Sequence, residues 1–314
     1  MQSSQDTVVI GSGAHTYQVI DRWGNLPPGL SFGTTHGVVE DASGRILVHH
    51  TGKPSVFVFE PDGTFIRSWG DDYAGGAHGM FYSRESGGEF LYLSATSLGF
   101  VAKTTIDGRE VFRIGTPDRP DIYDQERKFV PTETAVAPDG RIYVADGYGQ
   151  PWVHIYTKDA RYVTSFGGKG SDKGRLDNPH GIKIDTRGSR PLVCVSDRGN
   201  SRLQYFTLDG EHARFVQGML RKPCTTHQWQ DEIYIPDLYS RLTILDRKDR
   251  LITHLGDRPE CWTRPGWPNI PASDWVVGAF SSPHDLHVDR AGTIYCVEWL
   301  SNGTGKVTKL VRQG

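Results

Sequence analysis

The 314-residue chain carries 35 Lys and Arg against 37 Asp and Glu, a formal charge of −2, together with 37 Gly and 18 Pro. This balance gives no basic stripe for nucleic acid and no charge block for a disordered tail. No run approaches the roughly 18 apolar residues needed to cross a bilayer, so no membrane role is expected.

The opening Met-Gln-Ser-Ser-Gln-Asp lacks the basic and apolar regions of a signal peptide. The four cysteines, Cys194, Cys224, Cys261 and Cys296, show no CxxC spacing. Together these features predict a reduced, cytoplasmic protein.

Along the chain, an aromatic or branched run closing on glycine recurs six times, at residues 17–24, 65–70, 110–115, 162–167, 213–218 and 251–256. A second phrase is interleaved with it: His36-Gly37, His78-Gly79, Pro131-Thr132-Glu133, Pro179-His180-Gly181 and Pro283-His284-Asp285, with Pro223-Cys224-Thr225 a poorer copy. A repeat of about 50 residues is that of a β-propeller, one four-stranded blade per copy. The fourth copy is the clearest, with strands predicted at 181–185, 192–197 and 202–206 and an outer strand closing on Gly218. Asp-Gly turns at 62–63, 107–108, 139–140 and 209–210 mark the hairpins.

The last copy supplies only three strands, at 284–288, 293–297 and 306–311. Residues 17–24 have no blade before them and are predicted to be the missing fourth strand. The chain thus reads as one domain, residues 1–314, an all-β six-bladed propeller whose ring is closed by its own ends.

Antiparallel connectivity places three sets of residues on one face of such a ring. The first strands begin there, bringing His36, His78, Glu133, His180 and His284. The second strands end there, bringing His50, Asp146, Tyr148, Asp197, Arg198, Tyr239 and Glu298. The long loops between blades are the third set, mainly 116–130 and 257–283. The latter carries Trp262, Trp267 and Trp275 and is expected to wall a substrate pocket.

His78, His180 and His284 fall on alternate blades, about 120° apart around the channel. Three converging imidazoles form the ligand set of a catalytic zinc site with an open fourth position. The plainer reading is that each packs or hydrogen-bonds between blades without a metal. His36 breaks the three-fold pattern; a second-shell partner, a proton shuttle and a packing residue are all open to it, and it reads best as the last. Asp146 and Asp197 read either as acceptors for ligand imidazoles or as caps of the second-strand turn. Glu133 is a candidate general base or added ligand. No nucleophile elbow, P-loop or dinucleotide fingerprint is present.

These segments resemble the peptidyl-α-hydroxyglycine α-amidating lyase family, six-bladed NHL-repeat propellers with a zinc held by three histidines. The likeness is carried by residues 77–79, 130–133, 144–148, 178–181, 196–198 and 282–285. It implies zinc on His78, His180 and His284, Tyr148 as the base with Arg198 beside it, and a structural calcium on Asp285 and the carbonyls of Val38 and Met80. The family's blade-one arginine, which holds a peptide substrate, is replaced by His49-His50-Thr51, and no mono-oxygenase domain is present. The expectation is therefore a zinc-dependent lyase, hydro-lyase or hydrolase acting on a small hydroxylated or carbonyl-containing compound. The alternative is a non-catalytic propeller that binds a protein or small ligand on the same face. Nothing in the sequence sets an oligomeric state.

Overall fold

The computed structural model describes residues 7–300 and 302–313. Six sheets follow one another in chain order. Blade one comprises Thr35–Glu40, Ile46–His50, Val56–Phe59 and Phe65–Trp69, and blade two Ala77–Glu85, Gly88–Ala95, Phe100–Thr105 and Glu110–Ile114. Blade three comprises Glu133–Val136, Ile142–Ala145, Trp152–Tyr156 and Tyr162–Gly167, and blade four Pro179–Asp185, Leu192–Asp197, Arg202–Phe206 and His212–Val216. Blade five contains His227–Trp229, Glu232–Asp237, Arg241–Leu245 and Leu251–Leu255. Blade six contains Pro283–Val288, Ile294–Glu298 and Lys306–Arg312, joined by two strands from the other end of the chain.

Each sheet is covered on both faces by its neighbours, so the middle strands are buried throughout rather than on alternate residues. Ile46–His50 and Val56–Phe59 show this, with every residue buried. The core is accordingly a ring of inter-blade layers. Tyr143, Val153 and Ile155 of blade three, for example, meet Ile182, Val195 and Phe206 of blade four. The Asp-Gly hairpins have the backbone that glycine permits, with φ of 96° at Gly63 and 97° at Gly108.

The ring closes as the repeat predicts, with one shift of boundary. The fourth strand of blade six is His15–Ile20, running from Tyr17 opposite Arg312 to Ile20 opposite Lys309, not residues 17–24. The chain leaves the sheet after Ile20 because Trp23 is drawn inward against Phe59 and Tyr295, at centroid distances of 5.2 and 5.0 Å. A fifth strand, Val9–Ser12, pairs outside it; its mostly exposed residues left no apolar pattern to read.

Blade five departs from expectation. Its first strand starts at His227, beyond the expected Thr225, and only an isolated Pro223–Asp237 bridge precedes it. Opposite residue 225 in this register stands Pro236, which has no N–H to continue the ladder.

Because Tyr17 is fully buried in the closing strand, Tyr17→Ala is expected to destabilise the protein by about 3 kcal/mol or more. Chemical denaturation measures this, and a loss below about 1 kcal/mol would show that the closing strand bears little of the fold's stability.

Candidate active site

The first strands of blades one, two, four and six deliver His36, His78, His180 and His284 to the axis, each at least nine-tenths buried. Five of the pairwise ring separations fall between 4.7 and 4.9 Å. The expected triad is therefore brought together, and His36 stands as close to it as its members stand to one another.

The hydrogen bonds separate the four. His78 Nδ1 donates to the Thr132 carbonyl at 2.8 Å, His180 Nδ1 to the Cys224 carbonyl at 2.8 Å, and His284 Nδ1 to the His36 carbonyl at 3.2 Å. In each case an even-numbered blade donates to the next blade round the ring. The glycine after the histidine allows this approach: a Cβ at Gly79 would lie 2.4 Å from the Thr132 oxygen, and one at Gly181 2.3 Å from the Cys224 oxygen. His36 Nδ1 is buried without a partner.

Donation through Nδ1 fixes the tautomer and leaves Nε2 of all three as acceptors. The Tyr148 hydroxyl lies 2.9 Å from His180 Nε2 and 3.3 Å from His78 Nε2, but it has one proton to give. His284 Nε2 is buried with no partner. Burial pushes all four imidazoles below their ordinary range, His78 to about 3, with Arg198 acting in the same direction on His78, His180 and His284. They are neutral at pH 7. The three Nε2 lone pairs thus have one hydroxyl proton between them, and the histidines border a small void of about 10 Å³. This donor set fits a zinc ion. By proximity of ligand atoms alone, the groups that qualify are His36 with His78 and His284, and Cys224 with His180 and His284, each sharing two members with the alternate-blade set. The carbonyl anchor found on His78, His180 and His284 is what ligand imidazoles ordinarily have, so the alternate-blade set fits best. Cys224 also has its thiol pushed up to about 12 by burial, so it is a thiol rather than a thiolate.

Tyr148 stands over this cluster. Its ring edge is exposed while its hydroxyl points to the floor. Arg198 reaches it with Nη2 at 3.1 Å and is held by Asn178 Oδ1 at 2.7 Å from Nε. Burial of the hydroxyl raises the phenol above its usual range and outweighs the guanidinium, so an additional cation is needed to make it a base near neutral pH.

The other candidates take structural places. Asp146 caps the chain ahead of it, accepting from the amides of Val130, Gly149 and Gln150 at 2.7, 3.1 and 2.7 Å and from the Tyr123 hydroxyl. Asp197 accepts from the Asp177 amide, Asn200 and Arg202, and Glu298 from the amides of Ser281 and Ser282. None of these acids has a hydrogen bond to an imidazole of the cluster; backbone carbonyls take that part. His50 packs against Phe32 and Phe57, its Nδ1 accepting from Gly33 and Gly52, away from the axis.

Glu133 is not free to act as a base. It is ion-paired with Lys183 inside the channel and accepts from the Thr225 hydroxyl at 2.6 Å and the Ile182 amide at 3.1 Å. Asp285 accepts from the amides of Val38 and Leu286. Burial pushes its carboxyl up to about 8, against the pull of Lys183. Two buried carboxyl groups therefore share one ammonium, and a hard cation at Asp285 would favour its ionised form.

A cleft of about 280 Å³ opens above Tyr148. Tyr239, Trp267 and Trp299 form its aromatic wall, with Asn178, Arg198 and Lys222 opposite in character. Of the loop tryptophans, Trp267 lines the cleft. Trp262 lies behind, stacked on Tyr239 at 4.5 Å, and Trp275 lies against Lys306 and Arg22 outside it. Asn178 and Lys222 were missed, because residues in the loops ahead of a strand carry no periodic signal. A larger cavity, about 600 Å³, sits where the first strands end, with Phe81, Lys183 and His227 in its lining. Its lining includes neither Tyr148 nor Arg198, which both line the smaller cleft and reach the histidine cluster through the Tyr148 hydroxyl.

No protein-family model matches the chain. The chain is similar to NHL repeat-containing protein 3. The human protein is 29% identical over 283 residues, covering 85% of this chain and 77% of that protein, and the mouse protein 29% over 276 residues, covering 83% and 75%. These relatives support an NHL-type propeller. A shorter stretch of 91 residues, 27% of this chain and 9% of the other, is 30% identical to mouse peptidyl-glycine alpha-amidating monooxygenase. Among solved structures, a streptogramin B lyase aligns with a TM-score of 0.65 at 10% identity, covering 95% of this chain and 98% of that one. A gluconolactonase from Xanthomonas campestris also aligns at 0.65, with 12% identity and coverage of 99% and 96%. These likenesses show the fold. Among the described residues, no helix is long and apolar enough to cross a membrane, and all four cysteines are buried and free.

Lys183→Met would leave Glu133 charged and buried without its partner. It is expected to cost about 3 kcal/mol, measured by denaturant unfolding, with much of the loss recovered in Lys183→Met/Glu133→Gln. Equal stability of the single variant and the parent would show that water already solvates this pair.

Proposed function

We propose that the protein is a zinc-dependent lyase that acts on a small hydroxylated compound bound in the cleft above the axial histidines. The observation that carries this reading is the set of three carbonyl-anchored imidazoles with closely packed rings, two of which present Nε2 to one tyrosine hydroxyl. The local similarity to peptidyl-glycine alpha-amidating monooxygenase supports the same direction.

His78, His180 and His284 would hold the metal, and a zinc ion there supplies Lewis acidity toward a hydroxyl or carbonyl oxygen. Tyr148, as phenolate, takes the proton from the substrate hydroxyl. Arg198, within hydrogen-bond reach of the phenolic oxygen, stabilises that phenolate and lowers the cost of forming it. As the C–O bond becomes C=O, the bond from the same carbon to the leaving group breaks, and the leaving group departs with the electron pair and then takes a proton. Trp267 and Trp299 cover the cleft and limit water around the reacting atoms. A structural calcium would be held by Asp285 with the carbonyls of Val38 and Met80, favouring the ionised form of Asp285.

Metal analysis of the purified protein is expected to give about one zinc per chain, reduced severalfold or more by His78→Ala, His180→Ala or His284→Ala. His36→Ala, which removes an imidazole without a carbonyl anchor, is expected to leave zinc in place. Absence of zinc from the parent protein would favour a non-catalytic binding propeller, and equal loss in His36→Ala would reassign the ligand set.

Tyr148→Phe is expected to retain zinc and lower turnover by about a hundredfold or more, the scale of general acid–base catalysis. Arg198 favours the phenolate, so Arg198→Ala raises the tyrosine pKa and should move the rising limb of the pH–rate profile to higher pH. An unmoved limb would show that Arg198 only contacts substrate.

A further inference from the structure

Buried cations in this propeller are ordinarily matched. Arg202 pairs with Asp197 at 2.6 Å, Arg241 with Asp237 at 3.1 Å, and Arg187 with both Asp185 and Asp249 at 2.7 Å. Arg198 and Lys222, both half-buried, have no such partner, and both line the cleft above the histidines. Arg198 meets Asn178, Tyr148 and, at 3.8 Å, the Cys224 sulfur, none of them a carboxylate. The Lys222 ammonium is hydrogen-bonded to the carbonyls of Arg198 and Gly199, at 3.3 and 3.1 Å. Among the described residues, neither has an ion pair.

Two half-buried cations lining one cleft without an anion leave it with an unbalanced positive charge. An anionic ligand would balance it. The remaining wall is flat and apolar, formed by Tyr239, Trp267 and Trp299, with Trp267 set edge-on to Tyr239 at 5.4 Å. Trp267 is fixed by its indole N–H, which donates to the Ser281 carbonyl at 2.9 Å. The two sides call for different parts of one small molecule.

We infer that the cleft takes a carboxylate whose charge is received by Lys222 and Arg198 and whose flat, apolar body lies against Trp267, Trp299 and Tyr239. This rests on the lyase reading only for which end of the molecule reacts. Lys222 acts here as a specificity-determining residue. A carboxylate suits the pair better than a phosphate dianion, because Asn178 and Tyr148 already engage two edges of the Arg198 guanidinium and few donors are left.

The test is isothermal titration calorimetry with mandelate, which carries a phenyl ring, a hydroxyl and a carboxylate, and with mandelamide, its neutral counterpart. Both are titrated into zinc-loaded and chelator-treated protein. Mandelate is expected to bind the parent at least about tenfold more tightly than mandelamide, as a charge-assisted contact allows. Lys222→Gln keeps hydrogen-bonding capacity toward the two carbonyls but removes the charge. It is expected to abolish that preference without weakening mandelamide, and Lys222→Arg to restore it. Equal binding of the two probes, no binding of either at millimolar concentration, or a parallel loss of both in Lys222→Gln overturns the proposal. A carboxylate preference that survives chelation supports the anion site even if the protein holds no zinc, so failure here is distinguishable from failure of the lyase reading.

Discussion

The structure depends on one contact repeated around the axis: an imidazole N–H on one blade meeting a backbone carbonyl on the next. A carbonyl buried at a blade junction needs a donor, because leaving it unpaired costs about 1–3 kcal/mol. The histidines of blades two and four donate to the carbonyls of Thr132 and Cys224, the former also receiving the Gly79 amide, and the glycine that follows leaves the space in which the carbonyl sits. The same bond fixes the imidazole's rotation and tautomer. The bond that packs the blades would also present Nε2 to a metal, so the packing reading and the proposed ligand reading are compatible. Blade six is looser, with Asp285 in the glycine's place and a longer bond of 3.2 Å.

A second recurring device sits at the rim. The acid that ends each second strand in blades three to six, whether Asp146, Asp197, Asp237 or Glu298, accepts amide hydrogens from the loop entering its own blade. Carboxylates that bind amides and neighbouring arginines are occupied in holding loops. This leaves the cleft with cations and aromatics but no competing acid, and its electrostatic character follows from where the acids are already committed.

Much of this was legible in the sequence because propeller repeats restate their geometry. The six blades, the closure by the first repeat, and the meeting of His78, His180 and His284 all followed from spacing. The placing of Arg198 beside Tyr148 was implied by the family resemblance, and the two stand 3.1 Å apart. Other features were hidden for physical reasons. The shift at blade five arises from Pro236, a residue on the neighbouring strand. The centrality of His36 could not be read from alternate-blade symmetry, since a channel this narrow draws in every imidazole pointing at it. The pairing of Glu133 with Lys183 joins blades three and four, and no local pattern marks such a bond. The three loop tryptophans looked equivalent in sequence, yet only Trp267 lines the cleft, because the path of an irregular loop is set by what it packs on.

Closure by the first strand has a consequence for how the molecule is made. His15–Ile20 is synthesised ahead of the six blades, and its partner Lys306–Arg312 follows the other strands of the ring. At roughly 5–20 residues per second, the early strand waits tens of seconds with its edge unpaired. Blades one to five can meanwhile stack on one another as an open row, each contacting its neighbour as in a solenoid. Completion then joins the two ends of that row in a single late step of very high contact order. Until that step the axial histidines of blades one and six have not met, so the site is assembled last, and only in chains whose ring has closed.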